Sequence, residues 1–177
     1  VLSNDPNDRM PRISRSGGNT RRYVVTWRRE RGARDDIYAR AIDAKGKPLG
    51  AALAVSAGRH DESSPEVDGD GTNFVAVWAR RETFASQKLD VYARKLRFDG
   101  RMLVADSSIR AMATKRGDDE RDPVITYLGG KYALVFSPDS GSINKHAIQI
   151  QMLGDDLCRC GGSLNMNREN NEDWKPR

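Results

Sequence analysis

A carboxylate stands three residues before each of four prolines that are spaced 53 to 58 residues apart. Asp8, Glu62, Glu120 and Asp173 precede Pro11, Pro65, Pro123 and Pro176 in this way. A repeating fold that gathers such carboxylates into a ring could hold a cation or a polar ligand. The structural alternative is that each carboxylate caps the turn into a strand or pairs with a nearby arginine. We therefore treat Asp8, Glu62 and Glu120 as ligand-binding candidates and keep both interpretations open.

Basic side chains supply a second set of candidates. Arg28, Arg80 and Arg81 follow two similar aromatic segments, and His146 lies in the corresponding stretch of the third period. We expect them on long, variable loops at 28–35, 79–89 and 137–146, on the same face of the fold as the linkers 57–64 and 110–122. We call this surface the loop face. Variable loops on a rigid scaffold are where binding residues concentrate, so a ligand is expected there.

Other chemical patterns are weaker. The segment 68–72, Asp-Gly-Asp-Gly-Thr, has oxygen ligands at alternate positions, but its counterparts are glycine turns and it lacks a closing carboxylate. We favour a turn there, with a Ca²⁺ site as the alternative, and predict no cofactor. Cys158 and Cys160 are too close for a relaxed disulfide with each other, and zinc is not predicted because both histidines are distant. No catalytic or metal-ligating set is therefore assigned.

The elements that must position these side chains come from an aromatic segment that the chain repeats three times. The segments are Tyr23–Trp27, Phe74–Trp78 and Tyr132–Phe136. Tyr23, Trp27, Phe74, Trp78, Tyr132 and Phe136 form their ends and are the predicted structural core. Apolar residues occupy both faces of these segments, and a strand of that kind must be covered on both sides. The segments are therefore predicted to be strands of stacked sheets.

Each period contains four short strands joined by Gly-, Asp- and Pro-rich turns. The first two periods repeat Asp-(Ile/Val)-Tyr-Ala-Arg at 36–40 and 90–94 after the aromatic strand. The chain is predicted to be all-β, a single repeat region over 1–177 made of four-stranded antiparallel blades. The units are 1–8 (the end of a preceding outer strand), 9–57, 63–109, 121–167 (weak after 153) and 168–177 (the start of a further unit or a tail).

With these motifs in hand, the sequence resembles the blades of bacterial secreted β-propellers of the sialidase- and lectin-like kind, over about residues 1–153. The resemblance implies a propeller of which this chain holds about three blades, and an extracellular or cell-surface location. Because propellers close with more blades than three, further blades from a longer chain or from another copy are the expected partners. An open stack of three is also expected to leave an aromatic blade face bare at each end.

The resemblance fits both binding proteins and hydrolases, since one fold hosts many functions. We favour a non-enzymatic binding or scaffolding module that engages a protein or a glycan through the loop face. The alternatives are part of a glycoside hydrolase or sialidase-like enzyme, and a structural subunit of a surface assembly. The net charge is +5, but the 30 basic residues are interleaved with 25 carboxylates, so no nucleic-acid partner is predicted. No apolar run approaches the ~20 residues of a membrane helix.

Overall fold

The computed structural model describes residues 1–82, 88–114, 119–139 and 148–166. These residues form β-strands, turns and irregular segments without a helix, which confirms the all-β prediction. Within this part of the chain there is consequently no helix that is long and apolar enough to cross a membrane.

The strands form three antiparallel sheets in chain order, which we call blades 1, 2 and 3. Blade 1 contains β1 (Asp8–Ile13), β2 (Tyr23–Arg31), β3 (Arg34–Ile42) and β4 (Pro48–Ser56). Blade 2 contains β5 (Asp61–Gly69), β6 (Asn73–Arg81), β7 (Leu89–Phe98), β8 (Leu103–Ala105) and β9 (Arg110–Ala113). Blade 3 contains β10 (Asp119–Tyr127), β11 (Tyr132–Asp139), β12 (Gln149–Leu153) and β13 (Leu164–Asn165).

The blades pack through two apolar seams. Seam 1, between blades 1 and 2, buries Val24 and Ile37 against Phe74 and Trp78. Seam 2, between blades 2 and 3, has the following members in its core: Val75, Val77, Val91, Ala93, Met112, Ala113, Ile125, Tyr132, Leu134, Phe136, Leu153 and Leu157. Alternate residues of β6 enter opposite seams, because successive side chains of a strand point to opposite faces. Blade 2 is therefore apolar on both sides, as its sequence predicts.

The first strand of every blade carries the same irregularity. The pairing of β1, β5 and β10 with the following strand shifts next to the repeated proline. The residue before that proline has a positive φ in each case: Met10 at 52°, Ser64 at 50° and Asp122 at 50°. A residue before proline is excluded from the right-handed helical region, and a β-bulge accommodates the extra residue. The bulge separates the candidate carboxylates from the rest of their strands.

A single buried carboxylate, Asp68 at the end of β5, joins all three blades. Its Oδ1 accepts hydrogen bonds from the backbone N–H groups of Arg15 (3.0 Å) and Ser16 (3.3 Å) in blade 1. Its Oδ2 accepts from the backbone N–H of Tyr127 (2.8 Å) and the hydroxyl of Thr126 (3.4 Å) in blade 3. Because Asp68 is only 2% exposed, these bonds fix the three first strands relative to one another.

Two local expectations were wrong. The long loop expected at 28–35 does not exist, because β2 continues to Arg31 and β3 begins at Arg34, with Gly32 (φ 69°) in the connection. The aromatic face of blade 1 is also not bare, since Trp27 is 3% exposed. Leu2 packs on this face, and the guanidinium carbon of Arg29 lies 4.3 Å from the centre of the Tyr38 ring. The N-terminal residues 1–5 reach this face without forming a strand.

Candidate functional site

The first candidate carboxylate, Asp8, is held by an arginine of its own blade. Arg29 donates from Nε to Oδ1 (2.7 Å) and from Nη2 to Oδ2 (3.0 Å). Burial raises the pKa of the Asp8 carboxyl, but the hydrogen bonds from Arg29 and Ser3 outweigh it, and the net pKa lies below the ordinary value. Asp8 is consequently an ionised member of a bidentate ion pair, which is the structural alternative considered for it.

The second candidate, Glu62, lies inside seam 1 and is 2% exposed. Ser56, at the end of β4, donates a hydrogen bond to its Oε1. Burial raises the pKa of the Glu62 carboxyl to about 7, against the effects of the Ser56 hydrogen bond and the charge of Arg80, while the negative charge of Asp36 raises it further. A carboxyl group that remains partly protonated at neutral pH has thus been placed between two blades.

The third candidate, Glu120, occupies the same position in seam 2. It is 2% exposed and is hydrogen-bonded to the side chain of Asp90, at the start of the second Asp-Val-Tyr-Ala-Arg motif. Burial raises the pKa of Asp90, the hydrogen bond to Glu120 lowers it, and the charges of Glu82 and Asp119 raise it again, so the net pKa is raised. The raised pKa of Asp90 favours its protonated form beside Glu120 in seam 2.

The candidate arginines lie on strands and are engaged within their own blades. Arg28 contacts Glu30 (2.8 Å) and Asp35 (3.3 Å). Arg80 contacts Glu82 (3.3 Å), and Arg81 contacts Asp61 (2.8 Å). The last basic candidate, His146, lies outside the described residues. Each of these three guanidinium groups therefore already has a carboxylate beside it.

An aromatic stack recurs beside these pairs in blades 1 and 2. In blade 2, Trp78 and Tyr92 are cross-strand partners whose rings stack with centroids 6.5 Å apart. The guanidinium carbon of Arg80 lies 4.5 Å from the centre of the Tyr92 ring on β7. Blade 1 repeats this arrangement with Trp27, Tyr38 and Arg29. In blade 3 the positions that correspond to Trp78, Tyr92 and Arg80 are occupied by Phe136, Gln149 and Pro138.

These smaller residues coincide with a cavity of about 460 Å³ at seam 2. Its lining consists of Ala113, Thr114, Glu120, Phe136, Pro138, Gln149, Gln151, Arg159 and Ser163. The Nε2 atom of Gln151, a residue only 1% exposed, has no hydrogen-bond partner among the described residues. The cavity is thus polar, partly enclosed and lined by one of the three candidate carboxylates.

The remaining sequence patterns are the 68–72 segment and the two cysteines. Asp70 accepts hydrogen bonds from the backbone N–H groups of Thr72 and Asn73, both at 2.7 Å, and so caps its own hairpin. Cys158 and Cys160 are free and exposed. Within the described ranges there is no cluster of three or more His, Cys, Asp or Glu residues suited to a metal ion. The expectation of no cofactor stays a prediction.

Sequence reasoning missed four residues of the seams. Asp36 and Asp90 recur at the same place in the repeated motif, which is a visible signal. Their effect on the carboxyl group of the next blade follows only from the packing: the charge of Asp36 raises the pKa of Glu62, and Asp90 is hydrogen-bonded to Glu120. Asp68 was read as part of a turn, because nothing in its local sequence indicates partners in two other blades. Gln151 carried no signal beyond its departure from Arg40 and Arg94 in the repeat.

Comparison with known proteins identifies similar folds among solved structures. The sequence matches no protein-family profile and no curated protein sequence. The structure is similar to a subtype N10 neuraminidase-like protein of A/little yellow-shouldered bat/Guatemala, with a TM-score of 0.56 and 10% identity over 92% of this chain and 44% of that one. It is also similar to the GH43 endo-arabinanase from Bacillus licheniformis, with a TM-score of 0.49 and 16% identity over 92% of this chain and 60% of that one.

The chain thus spans less than two thirds of the length of both proteins. At 10% identity, the similarity to the first of them concerns the fold alone. Together with three antiparallel blades in chain order, it shows that this chain is an all-β protein of the β-propeller type with about three blades.

Proposed function

We propose that this chain is a non-enzymatic binding and scaffolding module that engages a protein or a glycan through its loop face. The observation that carries the proposal is the set of partly exposed ion pairs on that face. Arg28 pairs with Glu30 (2.8 Å) and Asp35 (3.3 Å), and Arg81 pairs with Asp61 (2.8 Å). Charged groups held in this way give a preformed surface, which suits recognition because little ordering is required on binding.

The burial of the carboxyl groups supports binding over hydrolysis. Glycoside hydrolysis requires two carboxyl groups that flank the same glycosidic bond. Glu62 and Glu120 are each 2% exposed and lie in different seams, so they do not form such a pair.

One observation favours the hydrolase alternative. Glu62 has a pKa raised to about 7, and a general acid that works at neutral pH requires such a value. The group is, however, enclosed in seam 1 at 2% exposure with Ser56 on one oxygen. We therefore assign this pKa to the packing of the blades and keep hydrolysis as the second candidate.

The partner that completes the scaffold is, in this proposal, a further four-stranded blade of the same repeat. The outer face of blade 3 is a row of apolar side chains in register, with Val135 opposite Ile150 and Ile150 opposite Leu164. Leu164 is 67% exposed. The corresponding face of blade 2 is covered by blade 3, so a blade of the same kind is the complementary surface. An extracellular or cell-surface location completes the proposal and rests on the resemblance of the sequence.

The test combines turnover with binding. The pure chain is incubated with a panel of 4-nitrophenyl glycosides, beside the Glu62→Gln and Glu120→Gln variants, and is then applied to an immobilised glycan array. We expect no release of nitrophenol and retention on a subset of glycans. Turnover that is lost in either variant would establish the hydrolase alternative and overturn the proposal.

A further inference from the structure

The turn that follows β12 is a fixed element of blade 3. The backbone N–H of Gly154 donates to the backbone oxygen of Cys158 (2.9 Å), and the N–H of Leu157 donates to the oxygen of Gly154 (3.0 Å). The turn 43–47 of blade 1 has the same two hydrogen bonds, both at 3.0 Å. Leu157 is 3% exposed and belongs to the core of seam 2. The turn is therefore held by its own backbone and by a buried side chain.

The two cysteines leave this turn on one face of an extended segment. Arg159, between them, pairs with Leu153 in an antiparallel bridge, and its side chain donates to the backbone oxygen of Met112 in seam 2 (2.7 Å). Because successive side chains of an extended chain point to opposite sides, Cys158 and Cys160 both point away from seam 2. Both are free and exposed. Two thiol groups thus lie side by side on a rigid, solvent-facing surface.

A glycine opens the space beside these two residues. An added Cβ at Gly154 would lie 3.5 Å from the Sγ of Cys160 and 3.9 Å from the backbone oxygen of Cys158. The Sγ of Cys160 is 4.0 Å from that same oxygen, so the sulfur is directed along the chain toward Cys158. The volume that a side chain at position 154 would fill is therefore bounded by both cysteines.

Charged neighbours of both signs suit this place to a cation held by sulfur. Arg110, in β9, donates from Nη1 to the backbone oxygen of Asp156 (2.8 Å), and the same nitrogen lies 3.9 Å from the Sγ of Cys158. A positive charge beside a cysteine favours the thiolate, which is the form that binds metals. The Asp156 carboxylate accepts from the N–H of Cys158 (2.9 Å) and from its thiol, and a negative charge at this distance attracts a cation.

We propose that Cys158 and Cys160 form a two-coordinate site for a soft monovalent cation, Cu(I), which bridges their sulfur atoms. Thiolates select Cu(I). With the ~2.3 Å of a zinc–thiolate bond as a guide, a linear ion needs sulfurs roughly 4.5 Å apart, within reach of residues whose Cα atoms are about 6.6 Å apart along a strand. A disulfide would need about 2 Å. Zn²⁺ takes four ligands, and the chain has two cysteines.

Binding releases both thiol protons to solvent and changes no oxidation state. The two thiolates and the ion carry one net negative charge, which the guanidinium of Arg110 offsets. The turn after β12 lies at the opposite end of blade 3 from the loop face, because the antiparallel strands β11 and β12 are joined on the loop face. The site is therefore independent of the proposed binding function.

The test is a competition titration of the reduced full chain under argon, with Cu(I) supplied as its bathocuproine disulfonate complex. Loss of the colour of this complex measures transfer of the ion, and native mass spectrometry counts the ions bound to each chain. Cys158→Ser and Cys160→Ser each remove one sulfur at an exposed position, so both should melt at the temperature of the wild type. Met166→Leu is the matched control, since it removes an exposed sulfur (60% exposed) elsewhere on blade 3.

We expect one Cu(I) ion per wild-type chain and an affinity lower by about 100-fold or more in each serine variant. Removing an outer partner of a metal site already costs about 10–100-fold, and a ligand should cost at least as much. Met166→Leu should leave the affinity unchanged. Two ions per chain, one lost with each cysteine, would show two separate thiols and overturn the shared site. Wild-type affinity in either serine variant, or no transfer of Cu(I) to the wild type, would overturn it as well.

Discussion

Replacing Glu62 by glutamine should remove a large part of the pH dependence of stability. The carboxyl has an ordinary pKa of 4.5, raised to about 7 in the folded protein by burial in seam 1. Below pH 4.5 the carboxyl group is protonated in both the folded and unfolded states, so its ionisation does not lower the free energy of unfolding. Between pH 4.5 and 7 the unfolded chain releases the proton that the folded chain retains, and stability falls as the pH rises.

The magnitude follows from the two pKa values. Each tenfold change in proton affinity is worth about 1.4 kcal/mol, so a rise from 4.5 to about 7 costs about 3 kcal/mol once the pH exceeds 7. Glutamine retains the oxygen that accepts from Ser56 but carries no charge. Glu62→Gln should therefore gain about 2–3 kcal/mol relative to the wild type between pH 5 and pH 8.

Urea denaturation at pH 5, 6, 7 and 8 measures this difference directly. Glu30→Gln serves as the control, since Glu30 lies in exposed ion pairs with its side chain 38% exposed. Its curve should run parallel to that of the wild type. Subtracting the variant's free energy of unfolding from that of the wild type at each pH isolates the contribution of Glu62. The contribution of Asp90, whose pKa is also raised by burial, is present in both proteins and cancels. Parallel curves for Glu62→Gln and the wild type would refute the reasoning.

Two further predictions concern backbone contacts and the open end of the stack. Gly71→Ala should lower the free energy of unfolding in urea by at least about 2 kcal/mol more than Gly100→Ala. Both glycines have a positive φ (90° and 99°), so the backbone strain is shared. An added Cβ at Gly71 would lie 2.0 Å from the backbone oxygen of Gly17 in blade 1, whereas an added Cβ at Gly100 would meet open space. Equal costs would contradict the packing of the two hairpins. Leu164→Lys should reduce self-association in sedimentation velocity without lowering the melting temperature, since Leu164 is 67% exposed on an apolar face. An unchanged sedimentation profile would count against that face as a docking surface.

The sequence predicted the blades because their signals are local. Aromatic strands apolar on both faces, such as Phe74–Trp78, and Gly-rich turns at a fixed period determine four-stranded units and their order. Loop lengths were harder to predict from the sequence. Arg28 and Arg29 look like loop residues by charge, yet they belong to β2, because cross-strand ion pairs and stacking on Tyr38 make an extended conformation favourable.

The candidate site was predictable only in part. The recurrence of Asp8, Glu62 and Glu120 was visible, but their three different surroundings were not. Position within a repeat does not determine whether an arginine, a serine or another carboxyl group lies opposite. The cavity depends on which side chains are small where two blades meet. That information is long-range, and a pattern read along one strand does not contain it.

The contacts of Asp68 join the three blades into one body, and they can be measured directly. Native-state hydrogen exchange should be recorded residue by residue for the wild type and for Asp68→Ala. The backbone N–H groups of Arg15 and Ser16 in blade 1 and of Tyr127 in blade 3 all bind this carboxylate. We expect the three to lose protection together, by about tenfold or more. Unchanged protection of Tyr127, or of Arg15 and Ser16, would contradict the shared contact and with it the joined stack.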